Sequence, residues 1–69
     1  MDKWEPIMYE LIYQDNTIGI YNTEEGAIKY IKDNEDAYKY IRKEKIKPDF
    51  QRIDFGGYRG FYYIKKHKK

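Results

Sequence analysis

Residues 7–21 have the sequence IMYELIYQDNTIGIY, which has the side-chain pattern of a β-hairpin. Over residues 7–13, one set of alternate positions carries only apolar and aromatic side chains, which is the period of a strand. Residues 17–21 are predicted to form the returning strand. Asp15 and Asn16 lie between the two runs, and both residue types tolerate the positive φ that a two-residue hairpin turn requires.

A turn at Asp15-Asn16 determines which residues of the two strands face each other. It would pair Tyr13 with Ile18 and Leu11 with Ile20, all on the face that points toward the core. The predicted core extends into the later segments and comprises Tyr9, Leu11, Ile18, Ile20, Ala27, Ile31, Ile41 and Ile53.

The segment after the hairpin has a helical pattern. Asn22 or Thr23 is predicted to cap the first free N–H groups, and the two glutamates that follow suit the positive end of a helix dipole. An apolar stripe with helical spacing comes next. Residues 33–36 are predicted to break or kink the helix, because Asn and Asp are common at helix ends. A second helical stretch is predicted at about residues 35–45, and one long bent helix is the alternative.

The last part of the chain again has the pattern of strands. Pro48 is predicted to end the helical region. Residues 50–55 and 61–66 alternate as strands on either side of a loop at residues 56–60. We therefore expect an α+β fold in which a four-stranded antiparallel sheet, in ββααββ order, carries one bent helix or two short helices on one face.

Size and residue content restrict the kinds of site that this chain can form. Its 69 residues are expected to make a single domain, residues 1–69, in which residues 65–69 form a flexible basic tail. The chain has no cysteine, no serine and one histidine, His67. This composition excludes disulfides, thiolate metal sites and the commonest nucleophiles. We therefore expect no enzymatic activity, no bound metal and no cofactor.

The charges are nearly balanced in number but unevenly distributed. The chain has 14 basic and 12 acidic side chains, with acids concentrated in residues 15–36 and bases in residues 39–47 and 65–69. A basic half favours an anionic partner, and an ordinary solvated surface is the alternative. The N-terminal residues lack an apolar run long enough for a signal peptide or a membrane span. We expect a cytoplasmic protein with no membrane partner.

The segment 55–66, FGGYRGFYYIKK, combines several features of a contact site. Glycines allow close backbone approach, Arg59 offers a planar fork for a phosphate, and Tyr58 offers a flat face for stacking. The predicted binding residues are Gly56, Gly57, Tyr58, Arg59, Gly60, Tyr62, Lys65 and Lys66. The alternative is a plain hairpin loop between two aromatic core strands.

Tyrosines in the predicted helices indicate a second surface. Tyr38 and Tyr40 are two positions apart, about 200° around a helix axis, so they cannot both face one core. Together with Tyr30 they form a candidate protein interface. A small core with nine tyrosines in the chain also predicts self-association, most simply as a symmetric dimer.

Isoleucine, lysine and tyrosine are frequent, and these residues, like asparagine and aspartate, have AT-rich codons, which indicates a low-GC genome. In size, composition and lack of catalytic groups, the chain resembles the small phage-encoded proteins that take over a bacterial host or disarm its defences. The resemblance implies a non-catalytic inhibitor in the host cytoplasm that occludes a host protein or sequesters an anionic nucleotide-type ligand. The alternative is a small nucleic-acid-binding protein that uses the Gly/Tyr/Arg loop, the basic helix and the tail.

Overall fold

The fold is a five-stranded antiparallel sheet with one helix on one face, in a computed structural model that describes residues 7–37, 40–57 and 60–68. The elements are β1 (Ile7–Tyr13), β2 (Asn16–Tyr21), α1 (Glu24–Glu35), β3 (Arg42–Lys47), β4 (Phe50–Asp54) and β5 (Tyr62–Lys68). The strands lie side by side in the order β2-β1-β5-β4-β3. The central strand β5 therefore joins the N-terminal hairpin to the hairpin of β3 and β4.

The prediction of four strands in ββααββ order is wrong because residues 42–47 form a strand and not a helix. Helix α1 ends where Asp36 adopts a left-handed conformation, with φ of 55°, and donates its N–H to the carbonyl of Lys32. β3 then pairs with β4, from Arg42 opposite Asp54 to Lys47 opposite Phe50. This pairing satisfies the backbone N–H and C=O groups of β4 that would otherwise lie unpaired at the edge of the sheet.

The first hairpin forms as predicted, but its turn lies one residue earlier. Gln14 and Asp15 have φ of 51° and 67°, so Tyr13 pairs with Asn16. A bulge then adds Ile18 to β2 as an extra residue without a partner.

The shifted register removes two residues from the predicted core. Leu11 lies opposite Gly19, and Ile20 lies opposite Glu10 on the other face of the sheet. Ile18 and Ile20 are 38% and 42% exposed, so their assignment to the core is wrong.

Helix α1 begins as the sequence indicates. Thr23 is the N-cap, and its Oγ1 accepts a hydrogen bond of 3.1 Å from the N–H of Gly26. Glu24 and Glu25 occupy the first turn, where carboxylates stabilise the helix dipole. The apolar face of the helix buries Ala27 and Ile31 against the sheet. At 12 residues and with a polar outer face, the helix in the described part of the chain is not one that could cross a membrane.

The core is built around the ring of Tyr62. This ring stacks on Tyr13, with 4.4 Å between centroids, and meets Phe55 edge-on at 5.4 Å. Its hydroxyl donates to the carboxylate of Glu35 and accepts from the amide of Asn34, which joins β5 to the C-terminal end of α1. The buried core residues are Leu11, Ala27, Ile31, Ala37, Ile53, Phe55, Tyr62 and Ile64. Of the remaining predicted core residues, Tyr9 and Ile41 pack partly buried against this set.

Residues 65–68, which we expected to be part of a tail, form the second half of β5. They pair with β1, from Lys65 opposite Glu10 to Lys68 opposite Ile7. Lys69 lies outside the described residues.

Candidate binding surface

Among the elements that the structure describes, none covers the face of the sheet opposite α1, and we call this face the open face. Side chains alternate between the two faces of a strand, so Tyr63 and Lys65 lie on the opposite side from the buried Ile64. Residues directly opposite each other in an antiparallel pair share a face. Phe50 pairs with Lys65 and Arg52 pairs with Tyr63, which places all four side chains on the open face.

A groove of about 420 Å³ lies beside the start of β4, and we call it the β4 groove. It is lined by Lys47, Pro48, Asp49, Phe50 and Lys65. The Phe50 ring stacks on Tyr63 with 5.3 Å between centroids and 11° between planes, which holds the aromatic wall in place. Within residues 7–37, 40–57 and 60–68, neither Lys47 nor Lys65 takes part in an ion pair. The groove therefore combines a fixed ring with two lysines that form no ion pair within these ranges and with one carboxylate, Asp49, which binds Lys68 at 3.7 Å.

Arg52 occupies the part of the open face next to this groove. Its guanidinium lies over the ring of Phe61 at 4.6 Å from the centroid and donates to the carboxylate of Glu44. Because Glu44 already balances the charge of Arg52, Arg52 is less available to an anion than the two groove lysines are.

One carboxylate, Glu10, lies on the open face directly opposite Lys65 of the neighbouring strand. Glu10 accepts hydrogen bonds from the hydroxyl of Thr17 and from Nε2 of His67, the latter at 2.8 Å. The bond from Thr17, and then the bond from His67, lower the pKa of Glu10 below its usual value. Both the hydroxyl and the imidazole bind the same carboxylate, so His67 is not directed at Thr17 as a base would be.

Charge divides the described residues into two halves. Residues 7–37 contain seven acidic and two basic side chains. The described residues from 40 to 68 contain eight basic and three acidic side chains. The β4 groove lies in the basic half, so the field of this half attracts anions toward the groove.

The glycines of the predicted binding loop are required by the backbone conformation and the packing of that loop. Gly56 has φ of +83°, and its N–H binds Oδ1 of Asp54 at 2.8 Å. A Cβ at Gly57 would lie 2.2 Å from Cε2 of Phe55, so glycine is needed there for a core ring to pack. Gly60 has φ of +120°, another backbone conformation that favours glycine.

Of the other predicted binding residues, the three that the structure describes, Tyr62, Lys65 and Lys66, do not share one surface. Tyr58 and Arg59 lie outside the described residues. Tyr62 is 1% exposed and belongs to the core, which removes it from any contact surface. Lys65 lines the β4 groove, whereas Lys66 is half-buried, and its N–H donates to the carbonyl of Asp49.

The predicted tyrosine interface is also divided. Tyr30 lies on α1 and is 36% exposed, and Tyr40 precedes β3 and is 48% exposed. Tyr38 lies outside the described residues. Tyr40 packs near Gly56, where an added Cβ would be 3.4 Å from its ring. Tyr40 therefore adjoins the loop after β4 instead of extending a helical surface.

Sequence reasoning missed four of the five groove residues, Lys47, Pro48, Asp49 and Phe50, as well as Tyr63, which stacks on Phe50. Alternation over residues 61–66 placed Tyr63 opposite to Ile64, but it did not show which of the two faces is buried. The lysine at position 65 was the available signal, because a charged residue on the same face as Tyr63 favours the exposed side.

A larger cleft of about 740 Å³ runs beside α1, between the first turn of the helix and Ile41. Two of its five charged side chains, Lys43 and Glu24, bind each other at 3.0 Å, and a third, Lys29, binds Asp33 outside the lining at 3.0 Å. The cleft also borders Ile7, which follows residues outside the described ranges. Among the described residues, no group of three or more acidic or histidine side chains is arranged to hold a metal ion.

Comparison of the chain with protein families, with curated proteins and with solved structures finds no match.

Proposed function

We propose that the protein is a non-catalytic binding protein for anionic ligands that carry a planar ring, and that the β4 groove is its contact site. This chemistry is shared by nucleotides and by single-stranded nucleic acid. The observation that supports the proposal is that the Phe50 ring, which stacks on Tyr63, lines one groove together with Lys47 and Lys65, neither of which forms an ion pair among the described residues.

The two parts of the groove suit the two parts of such a ligand. An aromatic side chain that is held in place can stack with a base of any identity. Lysines act as point charges toward phosphate oxygens. The groove volume of about 420 Å³ falls within the usual range for small-ligand sites, roughly 300–1,000 Å³. One base with its phosphate is therefore a ligand of suitable size.

In the setting that the resemblance to small phage-encoded proteins implies, a phage of a low-GC bacterium, this binding would act inside the host cytoplasm. The protein would sequester a nucleotide-type ligand or cover exposed single strands, and it would inhibit a host system in this way. Occlusion of a host protein is the competing mode of inhibition, and the experiment below distinguishes the two.

We expect the protein to bind a fluorescein-labelled oligothymidylate, with an affinity that decreases as salt increases. For single strands the log–log slope is about −0.7 per neutralised phosphate, so two lysines give a slope of about −1.4. Lys47→Gln and Lys65→Gln should each reduce the slope by about 0.7. Phe50→Ala should weaken binding roughly 5–150-fold, because a stacked base contributes about 1–3 kcal/mol. Fluorescence anisotropy at several salt concentrations measures both effects.

Matched controls test whether the groove itself is responsible. Lys29→Gln removes a 77%-exposed lysine of α1, and Tyr40→Ala removes an exposed aromatic ring away from the groove. Both variants should bind like the unmodified protein. Displacement of the oligonucleotide by ATP would identify a nucleotide site, and failure of ATP to compete would identify a single-strand site. Absence of binding to both probes at low salt would overturn the proposal, and recovery of a host protein from nuclease-treated lysate would then identify a protein-occluding inhibitor.

A further inference from the structure

The two edges of the sheet differ sharply in charge. β2 forms one edge and has the uncharged sequence NTIGIY. β3 forms the other edge, has the sequence RKEKIK, and exposes every residue. Charged residues, lysine above all, protect an edge strand from pairing with another chain. β3 carries this protection and β2 does not.

The backbone of β2 also has groups that can accept a new strand. The closing pair of a two-residue hairpin, here Tyr13 and Asn16, exchanges both of its hydrogen bonds. Bonded and non-bonded pairs alternate along β1 from that point, which makes the pair of Glu10 and Ile20 a non-bonded one. The N–H and C=O of Ile20 therefore point away from β1, toward the free edge.

We propose that β2 pairs with β2 of a second copy of this chain, antiparallel about a two-fold axis, to form one continuous ten-stranded sheet. Two uncharged strands can lie side by side without opposing like charges, whereas two β3 strands would place lysine and arginine against each other. Ile18 and Ile20, both more than a third exposed in the single chain, would flank the new pairing.

The same charge pattern limits the assembly to two copies. Once the two β2 strands are paired, both outer edges of the extended sheet are β3 strands with four basic residues each. A symmetric contact that uses the same surface on both subunits is closed, so it does not propagate. The dimer leaves both β4 grooves open, and the inference does not depend on the ligand proposed for them.

Size-exclusion chromatography with light scattering, over a range of protein concentrations, tests the pairing. We expect a mass near twice 8.5 kDa for the unmodified protein. Ile20→Lys places two ammonium groups beside the two-fold axis and should weaken dimerisation by at least roughly tenfold. The matched control is Ile46→Lys, at a 46%-exposed isoleucine of β3, which should remain dimeric. Since Ile20 is exposed, its variant should keep the unmodified circular dichroism spectrum.

Two further measurements separate pairing at the edge from other modes of association. The amide of Ile20 should become protected from hydrogen exchange as the concentration rises through the dimerisation range. Phe50→Ala should leave the dimer intact, because Phe50 lies on the open face and not at the β2 edge. Four results would overturn the inference: a monomeric mass at high concentration, growth past the dimer, an Ile20 amide that stays unprotected in the dimer, or a dimer lost in Phe50→Ala but kept in Ile20→Lys.

Discussion

Ile31→Ala is expected to lower the free energy of unfolding by about 2–5 kcal/mol, whereas Ile20→Ala should change it by less than about 0.5 kcal/mol. The two residues have the same side chain but opposite positions in the fold. Ile31 is fully buried on the face of α1 that packs on the sheet, and Ile20 is 42% exposed on the open face. Only the first substitution leaves a cavity, and the cavity adds to the loss of transfer free energy.

The expected loss at Ile31 is large relative to the total stability of such a small domain, which a single core of this size rarely raises above about 3–5 kcal/mol. Urea unfolding followed by circular dichroism measures both variants. The protein concentration should be kept below the dimerisation range, since association would add stability by mass action. An unchanged midpoint for Ile31→Ala would show that the face of α1 that contacts the sheet has been assigned incorrectly.

The elements that could be predicted from the sequence are those with a local signal. Residues 7–13 alternate cleanly, and they form β1 over that range. The start of α1 could be located from Thr23 and the two glutamates after it. The threonine caps the helix by a hydrogen bond and the glutamates interact with the helix dipole, and both interactions lie within one turn. The strands on both sides of the glycine loop could also be located, because alternation reports which residues share a face.

The features that were missed depend on partners distant in sequence. Residues 42–47 are all exposed, so no hydrophobic period distinguishes a strand from a helix there, and pairing with β4 decides the outcome. Gln14 adopts a positive φ that its residue type does not favour. The bulge at Ile18 depends on how both strands of the hairpin fit the sheet, and one extra residue is enough to move side chains between faces.

The candidate site shows the same division between local and distant signals. Lys65 was predicted as a binding residue from its sequence context, and it lines the β4 groove. Its companion Phe50 is 15 positions earlier, and the two meet only through the register between β4 and β5. The loop at residues 56–60 was predicted as a binding site because it combines glycine, tyrosine and arginine. Part of that signal has a structural origin, since Gly57 makes room for the ring of Phe55.

The stability of the protein is expected to fall between pH 10 and pH 12 through the ionisation of Tyr62. Burial, and then the hydrogen bond to the carboxylate of Glu35, raise the pKa of Tyr62 to about 12. In the unfolded chain a tyrosine titrates near its ordinary pKa of about 10. The neutral phenol therefore stabilises the folded state fully below about pH 10, and this contribution is lost as the pH rises through the folded-state value. This pKa difference of about two units between the folded and unfolded states corresponds to about 2–3 kcal/mol in the free energy of unfolding.

Tyr62→Phe isolates this effect, because phenylalanine fills nearly the same space and does not titrate. At neutral pH the variant should lose about 0.5–1.5 kcal/mol with its hydrogen bonds. Between pH 10 and 12 its free energy of unfolding should decline by about 2–3 kcal/mol less than that of the unmodified protein. The difference between the two proteins is the quantity to measure, because contributions that both proteins share cancel in it. Tyr40→Phe, at a 48%-exposed tyrosine, should follow the unmodified protein. Parallel pH profiles for Tyr62→Phe and the unmodified protein would show that the Tyr62 hydroxyl is not held between α1 and β5.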